Sequence, residues 1–208
     1  MSLYNFTLNN DPRITSILEF WFNPEWMHYP YLKWFTPDPK FDAEIAHNFA
    51  TLVSLARTTT SLDSWANDSP EGSLALIILL DKFPRNLYSR SSAKAFSSDG
   101  KALGVAQRAV KQGLEGEVGF VEQVFFYLPY MHAEDLEVQN QSVELYQALA
   151  DRGAGGDVEK WLVECVDFAK RHQRVIQLFG RFPARNEVLG RKSTEAEVEF
   201  LKTHPSGY

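Results

Sequence analysis

Seven consecutive apolar residues, Leu74-Ala75-Leu76-Ile77-Ile78-Leu79-Leu80, do most to limit the folds open to this chain. A segment that is apolar on every side has no face to offer water, so it must run through a core covered all round. Ser69-Pro70 stands before it, an N-cap followed by proline at the first helical position. The Leu and Ala content agrees with the cap. The segment therefore reads as a central buried helix from Glu71 to about Phe83, not as a strand. Seven residues also fall far short of a membrane span, which needs about 20.

A buried helix needs a shell of others, and the hydrophobic spacing supplies one. Phe41, Ile45, Phe49, Leu52, Val53 and Ala56 repeat at 3–4 residue intervals. Between residues 157 and 179, Trp161, Cys165, Phe168, His172, Val175, Ile176 and Phe179 share one stripe, over about 33 Å of helix. Further helices are predicted near 14–22, 99–112, 117–128, 134–151 and 194–202. No Asn-Gly or Asp-Gly stands between two alternating runs, so the pattern favours an all-α protein. Breaks are expected at Asn23 to Pro39, Pro84 to Ser92, Pro129 to Ala133, Gly153 to Gly156 and Gly180 to Ser193. None is long or low in complexity. The expectation is one domain over residues 1–208, with about eight to ten helices.

Composition narrows the function classes. The 28 aromatic residues among 208 provide a large core, and a chain of this length buries about 70% of its unfolded surface. The lone cysteine, Cys165, excludes an intramolecular disulfide framework and reads as inert core. A net charge of −6 argues against nucleic-acid binding, and no apolar stretch suggests a membrane partner. Met1 to Phe6 shows no basic region leading into an apolar one, so a cytoplasmic protein is expected. Charge is segregated: Gln112 to Asp151 holds eight acidic residues and no Lys or Arg, while Lys170 to Lys192 carries a local +6. Most of these charges read as solvated faces, but Arg181, Arg185 and Arg191 sit in a stiff Phe/Pro/Gly loop suited to gripping a carboxylate or phosphate.

Several motifs bear a family likeness. They are Leu79-Leu80-Asp81-Lys82-Phe83-Pro84-Arg85-Asn86, Leu128-Pro129-Tyr130-Met131-His132-Ala133-Glu134-Asp135-Leu136, and Phe179 to Asn186 with Leu189-Gly190-Arg191. Leu18 to Phe22 and Phe41-Asp42 add to them. In this order they resemble the DUF924 family, from about Ile14 to Leu201. The resemblance implies a tetratricopeptide-like stack of antiparallel helical hairpins, and it implies no activity, since the family is uncharacterised. Lys82, Ala133 and Ala184 depart from the family's usual glutamine, serine and histidine.

The candidate site follows from polar residues in apolar company. Phe83-Pro84-Arg85-Asn86 recurs with one insertion as Phe182-Pro183-Ala184-Arg185-Asn186, which suggests two related helix-ending turns. His132 beside Glu134 and Asp135 has the make-up of a general base with a carboxylate to fix its tautomer; capping of the next helix is the plainer explanation. His172 and Gln139 lie on apolar stripes and need partners, which a shared polar pocket would give them. Asp81 ends the most apolar helix and calls for an arginine, Arg85 or Arg185. The cluster of Trp21, Phe22, Trp26, Trp34 and Phe35 reads as core and lid packing.

Together these give a soluble small-molecule protein with an Arg/His/carboxylate pocket. His132 with Glu134 or Asp135 moves a proton; Arg85, Asn86, Arg181, Arg185, Asn186, His172 and Gln139 hold an anionic or enolizable substrate. No nucleotide, redox or metal motif is present, so a cofactor-independent lyase, isomerase or hydrolase is expected, with no metal. The other class is a non-catalytic helical scaffold that clamps a peptide or protein partner. A closed pocket on His132 favours the first and a long open groove the second.

Overall fold

The computed structural model describes residues 11–28, 31–88, 91–205 and 207. Met1 to Phe6, on which the reading of no leader rests, lie outside these residues. No strand occurs among the described residues, and the chain is all-helical.

Three helices begin with the same device. In α1 (Pro12–Trp21), α2 (Pro39–Thr58) and α4 (Pro70–Ile77) the residue before the proline is Asp11, Asp38 or Ser69. Its side chain accepts a backbone N–H from the first turn, at 3.0 Å from Arg13, 3.0 Å from Lys40 and 2.9 Å from Gly72. Proline loses nothing at the first position, because its missing N–H had no partner there. The short α3 (Trp65–Asp68) precedes α4. The end of α1 is capped from outside: the indole N–H groups of Trp26 and Trp34 both donate to the Trp21 carbonyl, at 3.0 and 2.8 Å.

The central helix departs from expectation at its end. Pro84 was expected to stop it, yet α4 runs through a π turn (Ile78–Lys82) straight into α5 (Phe83–Leu87). The Phe83 N–H reaches back five residues to the Ile78 carbonyl. Pro84 has no N–H to give the Leu80 carbonyl four residues before it, and the Ser98 hydroxyl fills that role at 2.7 Å. The wider turn admits the proline ring that a regular helix would exclude. Pro129 likewise sits inside a helix, α7 (Phe120–Met131), where every residue from Val121 to Met131 is buried and packing on all sides holds the turn.

The remaining helices are α6 (Asp99–Gln112), α8 (Leu136–Gly153), α9 (Glu159–Phe179) and α10 (Glu195–Thr203). Short links make α7, α8 and α9 successive antiparallel neighbours, while α4 lies inside, against α1, α6 and α7. None of the described helices is long and apolar enough to cross a membrane. On α9 the inward line is Trp161, Leu162, Cys165, Val166, Ala169, His172, Val175 and Ile176. Ala169 takes the slot expected for Phe168, which is 45% exposed. Burial pushes the Cys165 thiol pKa well up, as inert core requires.

The main core ends part-way along α9. Val175, Ile176 and Phe182 form a second, smaller apolar cluster with Phe179 and Phe200. There the chain leaves α9 at Gly180, in the left-handed region at φ +69°, and turns through a 3-10 segment (Pro183–Arg185). The two Phe-Pro motifs are therefore not equivalent turns. Phe83 to Asn86 is helical, whereas Phe182 is extended, because the added Ala184 makes room for a 3-10 turn.

Candidate functional site

The π turn carries Asp81 into a place where its side chain is 0% exposed. Burial by itself raises a carboxyl pKa, but Arg85 and His132 more than offset it and hold Asp81 well below the usual carboxylate range. Asp81 is thus ionised and can only accept hydrogen bonds. Its Oδ2 lies 2.7 Å from Nδ1 of His132, so Nδ1 is the protonated nitrogen and donates to it. The lone pair of His132 is then on Nε2.

His132 caps the end of α7 and keeps 15% of its side chain exposed. Burial presses its pKa down to about 3; Asp81 pulls upward, and the guanidiniums of Arg85 and Arg185 push down again. The imidazole is neutral at pH 7. His172 stands beside it on α9, with ring centroids 6.2 Å apart. The Nδ1 of His172 donates to its own helix at the Phe168 carbonyl, 2.8 Å away, and the ring packs in a T-shaped contact with Phe182, centroids 5.6 Å apart.

Two arginines divide one carboxylate. Arg85 forks onto Asp99, Nη1 to Oδ1 at 3.0 Å and Nη2 to Oδ2 at 2.9 Å. Its Nη1 also donates to the Asp81 carbonyl at 2.6 Å and lies 3.6 Å from Asp81 Oδ2. Arg185 donates once to the same Asp99 Oδ2, at 3.1 Å, and once to the His132 carbonyl, at 3.2 Å. Its guanidinium lies between the rings of Phe96 (4.7 Å) and Phe182 (4.5 Å). Three of its five N–H groups make no bond among the described residues. Burial raises the Asp99 pKa against the pull of Arg85, with Asp81 adding to the rise and Arg185 opposing it.

The turn that holds His132 is braced on two sides. The Gln139 amide donates to the carbonyls of Met131 (2.7 Å) and Ala133 (2.8 Å), closing the end of α7. Glu134 accepts the Phe182 N–H at 2.8 Å and the fork of Arg191. Among the described residues, no three His, Cys, Asp or Glu side chains are grouped as a metal site requires.

The DUF924 family model, described as a bacterial protein of unknown function, matches residues 17–205. This chain belongs to the DUF924 family. An Agrobacterium tumefaciens protein of unknown function, ATU0120, has a solved structure that is 34% identical, with a TM-score of 0.78, over 91% of this chain and 97% of that one. No curated protein matches the chain.

Within this DUF924 chain the structure gathers only part of the residue set read from the sequence. Asp81, Arg85, His132, His172 and Arg185 come together, with Gln139 bracing them. Neither Glu134 nor Asp135 orients the imidazole; Asp81 does. Glu134 is taken by Arg191 and Phe182, and Asp135 is the N-cap of α8, accepting Val138 N–H at 3.0 Å. Asn86 binds Asp42 at 2.7 Å, Arg181 forks onto Glu197, and Asn186 binds Ser193 at 3.1 Å, so each is committed to another partner than the imidazole. Of the family departures, Lys82 donates to the Trp34 carbonyl at 3.2 Å and Ala184 is exposed. Asp99 and the ring pair Phe96 and Phe182 escaped the sequence reading. Asp99 showed only as an acidic residue at a helix start, which dipole complementarity already explains.

Proposed function

We propose that the chain is a small-molecule acid/base enzyme of the lyase, isomerase or hydrolase kind, acting in the cytoplasm. His132 moves a proton, and Arg185 takes the substrate oxygen on which charge develops. The observation that supports this most is the 2.7 Å contact between a fully buried carboxylate and an imidazole that still reaches solvent. The Asp81 carboxylate fixes the tautomer, keeps Nε2 free to accept, and stabilises the imidazolium that forms. A π turn at this point agrees with the reading, because such turns collect at functional sites.

The substrate class follows from the charges. Arg85 is committed to structure by its fork on Asp99 and its bond to the Asp81 carbonyl, so it does not serve as the clamp. Arg185 shares an oxygen that Arg85 already uses and keeps unspent N–H groups. It suits a carboxylate or an enolate oxygen. An oxyanion on Arg185 also offsets one of the two guanidiniums that hold the His132 pKa down, so an anionic substrate makes the base stronger as it binds.

Proton exchange tests the reading. The protein is incubated in D2O with a panel of small keto acids and other carboxylates bearing α-hydrogens, followed by proton NMR. Wild type should exchange an α-hydrogen, and His132→Gln should be slower on the order of 10²–10⁴-fold. Arg185→Ala should weaken carboxylate binding by about 10-fold or more, having lost charge-assisted hydrogen bonds. Equal exchange in wild type and His132→Gln would refute the assignment.

A further inference from the structure

The segment after Gly180 is tied to itself more than to the body. Arg181 forks onto Glu197 (2.7 and 2.9 Å) and donates to the Lys192 carbonyl at 3.0 Å. Glu197 also accepts Thr194 N–H at 2.7 Å, and the Thr194 hydroxyl accepts the Glu197 N–H, closing a capping box on α10. The Arg191 N–H reaches the Asn186 carbonyl at 2.7 Å, and Asn186 binds Ser193. Residues 181–203 therefore hold their own shape. Their apolar contacts go to the last turns of α9 through the small cluster of Val175, Ile176, Phe179, Phe182 and Phe200, not to the main core.

What fastens this unit across the His132 turn is mainly polar, beside the packing of Phe182 on His172 and of Arg185 on Phe96. Arg191 forks onto Glu134, the Phe182 N–H donates to the same carboxylate, and Arg185 bridges Asp99 and the His132 carbonyl. Gly180, whose left-handed φ of +69° turns the chain back at the end of α9, is the pivot that such a parting would use. Polar links exchange with water at far smaller cost than buried apolar surface, so this face parts before the core does.

We infer that residues 181–203 are a hinged strap over the His132 site, latched by Glu134 and Arg191, and that its opening sets access to His132 and His172. The function of the strap as a gate rests on the proton-transfer reading; its opening does not. Glu134, read from sequence as a partner of the imidazole, is here the keeper of the latch. Arg185 makes the link between the two: the strap carries the group that meets substrate, so closing delivers it beside His132.

Two measurements on the full-length chain test this without a substrate. Hydrogen exchange by mass spectrometry should show residues 181–203 exchanging faster in Glu134→Gln by about tenfold, as the loss of a charge-assisted bond implies, with α4 and α7 unchanged. Carbethoxylation of His132 by diethylpyrocarbonate should accelerate by a similar factor. Arg191→Gln, altered on the strap side, should reproduce both effects and covers the case in which Glu134→Gln does not fold. Sodium chloride at 1 M, where the screening length is about 3 Å, should loosen the same segment in wild type. Strap exchange that rises only together with α7 and α8, or His132 modification that stays at the wild-type rate in both variants, would overturn the inference. A strap that opens as described in a chain without α-hydrogen exchange would leave the hinge standing and count against proton abstraction by His132 alone.

Discussion

Asp81→Ala tests the centre of the site by its stability. At 3.6 Å from the Arg85 guanidinium, and with an effective dielectric near 20, the Asp81 charge contributes about 4–5 kcal/mol of attraction. Against this stands the cost of holding a carboxylate out of water, several kcal/mol, which the variant recovers. Arg85 is not stranded by the change, because it keeps its fork on Asp99. What is stranded is the Nδ1–H of His132, at about 1–3 kcal/mol for a buried donor without an acceptor. The balance is a loss of about 3 kcal/mol, at the low end for breaking a buried pair. In a chain of 208 residues that corresponds to a fall of about 6–12 °C in Tm. Asp99→Ala should be worse, toward about 5 kcal/mol, because it strips the carboxylate from two arginines at once. Urea unfolding followed by circular dichroism, with an unchanged m-value, gives both numbers. A loss under about 1 kcal/mol for Asp81→Ala, or a milder effect at Asp99 than at Asp81, would refute the charge arrangement argued here.

Two further outcomes check other parts of the structure. His132 has a folded pKa of about 3, below its unfolded value of about 6.5, so between these limits the unfolded chain binds a proton that the folded chain does not. Stability should therefore fall as pH drops below about 6.5, by up to about 1.4 kcal/mol per unit, and His132→Gln should flatten that limb; a wild-type stability equal at pH 7 and 5 would contradict a neutral buried imidazole. Ser98→Ala should cost about 1–3 kcal/mol by leaving the Leu80 carbonyl bare, and less when Pro84→Ala supplies a backbone N–H nearby. Strictly additive losses in that double-mutant cycle would show that Ser98 is not filling the place left by Pro84.

The helices were legible because hydrophobic period and capping residues are local signals. Ser69-Pro70 and the stripe from Trp161 to Ile176 carry their own start and facing. Prolines misled where tertiary contacts rescue them: nothing near Pro84 in sequence announces that a hydroxyl 14 positions later will serve the Leu80 carbonyl. The site was half legible for the same reason. His132, Arg85 and Arg185 stand out as polar groups in apolar turns; of their partners only the Asp81–Arg85 pair, four residues apart, shows in the sequence. Asp81 is 51 residues from His132 and Asp99 is 86 from Arg185. The carboxylates next to His132 in sequence looked the better partners, yet helix geometry turns Asp135 to its own cap and Glu134 to Arg191.

The π turn has a consequence for how this chain tolerates change. A regular helix advances about 100° per residue, so its two ends are phase-locked and a residue's facing at one end fixes the facing at the other. One turn closed over five residues instead of four is a phase slip between Leu74–Ile77 and Arg85–Asn86. The upstream half answers to the hydrophobic core on every side, and the downstream half aims Arg85 at Asp99 and Asn86 at Asp42. Removing one residue from Ile78–Lys82 would take out the residue that the wide turn absorbs, and a regular helix in its place would drive the Pro84 ring against the preceding turn. The one extra residue is thus what lets a single rod seat an apolar half in the core and still present Asp81, Arg85 and Asn86 to their partners.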